Sequence, residues 1–203
     1  MISQRLLAAV ALCLWSLIGA LGVDIQAAHA APPAEAFLQS QQQALADLVR
    51  GPVAKGRDAK ILGIFDELLD YDALARESLG RHWDGLDDKQ RSEFSSVLRQ
   101  LVQRAYERNI KKTVDYRISY RGQTAADAAV LVKTVAVSEK NARQQPVSID
   151  YLMRKVAGRW KVQDIVTEGS SMVRSYRRQF SRVIAKKGFD ELLTRMRRKL
   201  DKG

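Results

Sequence analysis

Few side chains of this chain could carry out chemistry at a catalytic or metal-binding site. His82 is the one histidine after the first thirty residues, so no second histidine is available for a metal site, and the sequence offers no Ser-His-Asp order that His82 would complete. The only cysteine, Cys13, lies in an apolar N-terminal segment. We therefore expect His82 to be a turn or surface residue, and we predict no catalytic residue and no thiolate nucleophile.

Acidic residues are concentrated between positions 66 and 88. This cluster, which could bind a divalent cation or supply an acid and a base, comprises Asp66, Glu67, Asp70, Asp72, Asp87 and Asp88. Its spacing lacks the alternation and the glycine of an EF-hand loop. Asp70 and Asp87 stand directly before predicted helices, where N-cap residues are found. The pattern favours solvated helix ends, and we assign no metal.

A second pair of acids, Asp164 and Glu168, lies between a predicted strand and the last helical region. One buried acid could act as a general base in a small cone of sheet and helices. A structural role is the commoner explanation, because no second titratable partner is near in sequence. We expect Glu168 to face the positive end of the following helix and Gly169 to adopt a conformation that other residues resist.

The elements that position these residues follow from hydrophobic periodicity. Intervals typical of helices predict helices over residues 34–50, 60–69, 71–79 and 87–112, the last opened by an Asp87–Gln90 capping box. The period then changes to two, which predicts four strands over residues 116–120, 130–137, 147–153 and 160–165. Linkers 122–127, 138–145 and 157–158 are short enough for antiparallel hairpins. We predict one meandering sheet with helices on one side.

The C-terminal region combines an apolar stripe with a basic surface. Ser170 or Ser171 is expected to cap a helix that ends at Gly188, and a last helix covers residues 189–200. Residues 172–203 contain 11 basic and 3 acidic side chains and so carry +8 of the net charge of +11. We define the basic face as Arg174, Arg177, Arg178, Arg182, Lys186, Arg195, Arg198 and Lys199. Their mutual repulsion predicts docking on anionic headgroups or acidic partner surfaces.

The N-terminus has the pattern of a secretory signal peptide. Arg5 precedes the apolar run 6–23, and Ala28-His29-Ala30 offers a small-x-small cleavage site. We expect residues 1–30 to be removed after Ala30 and residues 31–203 to form one monomeric periplasmic domain; an uncleaved anchor is the competing interpretation. An exported basic domain meets anionic lipids and proteins rather than nucleic acid.

Two blocks of the sequence follow a known family pattern. The first comprises Phe65, Asp66, Tyr71, Asp72, Leu79, Gly80, Trp83, Gln90, Phe94 and Leu98. The second runs from Asp164 through Gly169 and Met172 to Leu200. Together they resemble the MlaC family, also called the toluene-tolerance family, of periplasmic phospholipid-binding proteins. The arginine-rich end is also compatible with its hopanoid-associated HpnM-like branch.

The resemblance implies an α+β fold, a twisted four-stranded antiparallel sheet with helices packed over it, similar to the NTF2-like cone and enclosing an apolar cavity. It implies a carrier rather than an enzyme, with phospholipid as cargo and no cofactor. Such a carrier moves phospholipid between an inner-membrane ABC transporter with MCE-domain subunits and an outer-membrane lipoprotein–porin complex, which maintains outer-membrane asymmetry.

We predict that the acyl chains contact apolar residues of the long helix, the sheet and the penultimate helix. These predicted cavity residues are Leu98, Leu101, Val102, Tyr106, Tyr116, Ile118, Val132, Tyr151, Met153, Met172, Tyr176 and Phe180. Periodicity alone does not distinguish a hollow interior from a filled one. A small exported cone-fold enzyme and an adaptor with a solid core are the alternatives.

Overall fold

The structure, a computed structural model, describes residues 33–113 and 115–201. The predicted signal peptide, residues 1–30, lies outside the described residues. Within them, four α-helices precede a sheet: α1 (Pro33–Arg50), α2 (Arg57–Leu68), α3 (Tyr71–Leu79) and α4 (Asp88–Thr113). A 3₁₀ turn, Gly80–His82, connects α3 to the approach to α4. The last helix, α5 (Met172–Asp201), is broken at Gly188, which has φ 82° and ψ 172°.

Capping bonds confirm the predicted starts of α3 and α4, whereas α2 begins at Arg57, three residues before its predicted start. The Asp70 carboxylate accepts the backbone N–H of Ala73 at 3.0 Å. Asp87 and Gln90 form a reciprocal capping box, with donor–acceptor distances of 3.0 and 2.8 Å. These bonds satisfy N–H groups that the first turn of a helix leaves without an intrahelical partner.

The sheet is an antiparallel meander of five strands in the order β1-β2-β3-β4-β5. The strands are β1 (Tyr116–Ala126), β2 (Ala129–Ser138), β3 (Val147–Val156), β4 (Arg159–Thr167) and β5 (Ser170–Ser171). The prediction of four strands was therefore wrong by one short strand. β5 has only two residues, too few to show periodicity, and it forms because the turn at Glu168 and Gly169 folds the chain back onto the end of β4.

Strand β1 also corrects the predicted first hairpin. The segment 122–127 was predicted as a linker, but β1 continues through it to Ala126. Gly122, at φ 84°, lies in a register shift between Tyr120 and Gln123, after which pairing with β2 resumes. Such a bulge interrupts side-chain alternation without ending the strand, which explains why the period-two pattern stops at Tyr120. The turn itself is at Asp127, at φ 50°.

The two faces of the sheet have different environments. Cross-strand partners Val132, Tyr151 and Ile165 are buried and share what we call the inner face. The residues next to these along the strands, such as the cross-strand pair Leu131 and Leu152, belong to the opposite, outer face. The α2–α3 junction is tied to β4, where Asp70 N–H donates to the Val162 carbonyl at 3.0 Å. Helices α3, α4 and α5 pack against one another, and α3 and α5 both contact β4.

Candidate functional site

The predicted cavity residues all lie in, or pack against, one contiguous apolar core. Leu101 and Tyr116 are partly buried, and the other ten are buried. Side chains from α4, the inner face of the sheet and the first half of α5 thus share one interior. The residues themselves remain a prediction, because burial in a common core does not establish contact with a ligand.

Aromatic contacts connect the helical walls of this interior. Tyr176 stacks on Phe180 with ring centroids 5.4 Å apart, and Phe180 meets Phe94 edge-on at 5.6 Å. Phe65 of α2 lies 4.1 Å from the ring of Tyr106. Phe65 and Phe94 were absent from the predicted cavity residues. The apolar stripe of α4 already indicated that Phe94 faces inward, whereas the contact of Phe65 across 41 positions of sequence required the fold.

Buried tyrosines keep this interior uncharged. Desolvation raises the pKa of Tyr176 to about 12 and raises the pKa of Tyr106 still further. The Tyr106 hydroxyl has no hydrogen-bond partner among the described residues. Both phenols stay protonated and neutral near pH 7, so the surface they present is suited to apolar ligands.

A buried polar cluster joins α1 to the inner face of the sheet. The Gln42 amide donates to the Tyr151 hydroxyl at 3.1 Å, and the Tyr120 hydroxyl donates to the Gln42 carbonyl oxygen. Burial and then the negative charge of Glu35 raise the pKa of Tyr120. Sequence reasoning placed this glutamine-rich stretch in a helix but missed Gln42, because only the apolar residues of that helix were expected to face inward.

The other residues that were considered for catalysis or metal binding lie in a turn, cap helices or bind neighbouring side chains. His82 is partly buried in the 3₁₀ turn, and its Nε2 atom has no hydrogen-bond partner in the described part of the chain. In the acidic cluster, Asp70 and Asp87 cap helices, while Asp66 binds Arg99 and Gln103 of α4. Among residues 33–113 and 115–201, no three His, Cys, Asp or Glu side chains are arranged to hold a metal ion.

Asp164, rather than Glu168, is the acid that lies at the start of α5. Asp164 Oδ1 accepts the N–H groups of Ile165 and Val173 at 2.8 and 3.0 Å, and Oδ2 accepts the Ser171 hydroxyl at 2.5 Å. Ser171 in turn caps α5 by accepting the Arg174 N–H at 3.0 Å. Glu168 instead binds back to β3, where its carboxylate accepts the Ser148 N–H at 2.5 Å. The expectation that Glu168 faces the helix start was therefore wrong. Gly169 has the predicted positive φ, 72°.

The break at Gly188 divides the basic face between two helical segments. Arg182 and Arg195, from opposite sides of the break, both line a groove of about 360 Å³ with an apolar floor. That floor contains Phe180, Val183, Leu192 and Met196. Arg174 and Arg177 lie instead at the start of α5, beside α3. The basic face therefore extends from the start of α5 to this groove.

Several basic side chains of this surface already have partners. Arg177 binds the Glu77 carboxylate at 2.6 Å and its carbonyl oxygen at 2.7 Å. Arg195 binds Glu191 at 2.7 Å, and this hydrogen bond holds the pKa of Glu191 below its usual value. Arg178 donates to the Ser175 hydroxyl at 3.0 Å. The basic face is thus a mixture of internally bonded and solvent-facing cations.

A family model and a solved structure match this chain. The model of the family described as MlaC protein matches residues 39–198. A structural match is the phospholipid-binding protein from Ralstonia solanacearum, solved in complex with a phospholipid. The match has a TM-score of 0.67 and 22% sequence identity, and it covers 83% of this chain and 97% of the other. At that identity the likeness establishes a shared fold. No helix in the part of the chain described here is long and apolar enough to cross a membrane.

Proposed function

The chain belongs to the MlaC family, and from this premise we propose that it binds phospholipid, with the acyl chains held between α4, α5 and the inner face of the sheet. The observation that carries the proposal is the bound phospholipid of the Ralstonia solanacearum protein, whose fold matches this chain over 97% of its own length. The predicted cavity residues are the proposed contacts.

The chemistry of the interior supports an apolar cargo. Its walls combine aliphatic side chains with tyrosines whose hydroxyls remain neutral, so no charge has to be desolvated when a chain enters. Each methylene group moved from water into such an interior contributes about 0.8 kcal/mol, which makes an enclosed acyl chain far more stable than a free one. The headgroup needs only polar contacts at the rim.

Family membership also supports a wider role. We place the protein in the periplasm, after cleavage behind Ala30, as a carrier of phospholipid between an inner-membrane ABC transporter with MCE-domain subunits and an outer-membrane lipoprotein–porin complex. The basic face would dock on acidic surfaces of these complexes. The groove between Arg182 and Arg195 offers apolar contact area within that face. Asp164, one of the two acids considered as a general base, is occupied as a helix cap, and we assign no reaction.

Lipid extraction tests the central proposal. Protein purified without detergent from the periplasm of the producing cells is extracted with chloroform and methanol, and the extract is analysed by mass spectrometry and phosphate assay. We expect phospholipid in near-stoichiometric amount; a hopanoid instead would identify the HpnM-like branch. An extract without lipid, from protein with native circular dichroism, would contradict the proposal. N-terminal sequencing of the same sample tests cleavage after Ala30.

A further inference from the structure

The groove within the basic face lies between the two halves of α5. Gly188 breaks the helix, and residues from both sides of the break, 179–183 and 192–196, line the same groove of about 360 Å³. The second half is attached to α4, because the Arg104 side chain donates to the Leu200 carbonyl at 2.7 Å. The groove is therefore formed by two helical segments that the fold holds side by side.

The apolar floor of this groove is recessed. Phe180, Leu192 and Met196 line the groove, yet none of them is more than 3% exposed. Val183 is partly buried beside them. A bilayer surface does not reach side chains at this depth, because apolar groups that enter a membrane have to protrude from the protein. A side chain that projects from a partner does reach them, as when a groove binds the apolar face of a helix.

The rim of the groove is basic. Arg182 is exposed, and within the described part of the chain its side chain donates only to the Arg178 carbonyl, at 3.4 Å, which is longer than an ordinary hydrogen bond. Arg195 binds Glu191 at 2.7 Å in a surface ion pair, a kind of contact that stabilises little and exchanges readily with other carboxylates. The rim therefore favours an occupant that carries carboxylates on either side of its apolar residues.

Charge also argues against occupants from this chain itself. The protein has a net charge of +11, and residues 172–203 carry +8 of it, so the basic faces of two copies repel one another. The apolar segment 6–23 contains no acidic residue and offers no partner to Arg182 or Arg195. The complementary surface belongs to another protein.

We propose that the groove of α5 binds an acidic amphipathic helix of a partner protein. A helix suits the site because its rows of side chains fit the groove between two other helices. Its apolar residues lie over Leu192 and Met196, and its carboxylates bind Arg182 and Arg195. This inference rests on the proposed docking through the basic face and names the chemistry of the partner there.

A designed peptide tests the proposal on the mature protein as purified. The peptide is a helix of about 18 residues, long enough to form in isolation, with leucines along one side and glutamates flanking them. Fluorescence anisotropy should show saturable binding that weakens with added salt. Replacing the leucines by alanine, or the glutamates by glutamine, should weaken binding at least about tenfold. No binding, or equal affinity for the three peptides, would refute the proposal.

Methyl NMR of the protein locates the peptide. The methyl signals of Val183, Leu192 and Met196 should shift, and those of Val53 and Val156, which are exposed elsewhere, should not. The same spectra with phosphatidylglycerol vesicles test a membrane as the occupant, and spectra at rising protein concentration test a second copy. Groove signals that respond to vesicles or to protein concentration, and not to the peptide, would overturn the assignment.

Paired variants distinguish the groove from the rest of the basic surface. Arg182→Gln with Arg195→Gln should weaken peptide binding by about tenfold, because both rim cations are removed. Lys186→Gln with Lys187→Gln removes two exposed cations of α5 that do not line the groove, and this matched control should bind the peptide like wild type. Equal losses in the two pairs would indicate unspecific attraction and refute the groove as the site.

Failure of this proposal is distinguishable from failure of the proposed function. Lipid transfer that depends on the charge of the basic face, together with no peptide binding, would refute the helix-binding groove and leave docking through the basic face in place. Lipid extracted from the same preparations reports separately on the acyl-chain interior.

Discussion

The Asp164 carboxylate accepts the backbone N–H of Val173 at 3.0 Å and so attaches the end of strand β4 to the first turn of α5. The bond connects the sheet to the helix that contributes Met172, Tyr176 and Phe180 to the core. The placement of one wall of the proposed cavity therefore depends on this partly buried acid.

Replacing this cap should lower stability. Asp164→Ala removes acceptors for two N–H groups and one hydroxyl, and we expect a loss of about 2 kcal/mol in the free energy of unfolding. Asp164→Asn keeps one oxygen for the N–H groups and should cost less. Urea denaturation followed by circular dichroism measures both. Equal stability of Asp164→Ala and wild type would show that the cap is unimportant.

Filling the interior should displace lipid. Val102→Trp introduces a large side chain into the predicted cavity, and we expect most of the extracted lipid to be lost while the protein stays folded, with a stability cost of about 1–3 kcal/mol. Leu131→Trp makes a comparable enlargement on the outer face and is the matched control, with lipid content unchanged. If Val102→Trp keeps its full lipid content, the acyl chains do not lie against Val102.

The break in α5 should require glycine. At φ 82° and ψ 172°, Gly188 occupies a region that is essentially closed to other residues, so Gly188→Ala should cost about 1–3 kcal/mol. Gly63 of α2 is the control, because a Cβ atom added at either position meets nothing within 4 Å. Gly63→Ala should instead stabilise the protein by about 0.5–1 kcal/mol through helix propensity. Thermal denaturation of both variants tests this opposite pair of effects.

Stability should fall in alkaline solution through the buried tyrosines. The pKa of Tyr176 is raised to about 12 in the folded protein, above its ordinary value of 10.0. Between these values the unfolded chain has lost the proton that the folded protein retains, so stability decreases as pH rises, by about 1.4 kcal/mol per pH unit for one group. Tyr176→Phe should flatten the dependence by about this amount between pH 10 and 11, measured by urea denaturation. An unchanged slope would argue against burial of this phenol.

Reversing the charge of three arginines in the basic face of α5 should slow lipid transfer. The triple variant Arg178→Glu, Arg182→Glu and Arg195→Glu should transfer lipid to anionic acceptor vesicles about tenfold more slowly at low salt, because electrostatic attraction accelerates encounter. Its lipid content should not change.

A control triple variant tests whether the location of the reversed charges matters, rather than their number. Arg121→Glu, Arg143→Glu and Arg159→Glu reverse the same number of charges at exposed sites on the sheet and its loops. Transfer should remain near the wild-type rate in this control. Lipid-transfer rates that fall equally in both triple variants, or that do not depend on salt concentration, would refute docking through the basic face.

Local interactions of this protein follow from the sequence by itself. The Asp70 cap, the Asp87–Gln90 box and the Ser171 cap all join residues three positions apart, so residue type and spacing are sufficient to predict them. Strand periodicity likewise identified the inner-face residues Val132 and Tyr151, because one face of each strand is buried. The two sequence blocks that resemble the MlaC family could also be recognised from the sequence, because the resemblance depends on the order and spacing of their residues.

Only the tertiary structure decided which distant residues meet. Gln42 binds Tyr151 across 109 positions, and Arg177 binds Glu77 across 100. Arg76, Arg154 and Arg174 line one pocket, although they come from a helix, a strand and a second helix. No local periodicity encodes such contacts, because they depend on the register of the sheet, the Gly122 bulge and the way β5 turns the chain into α5. The same packing brings Arg182 and Arg195, from opposite sides of Gly188, to one groove.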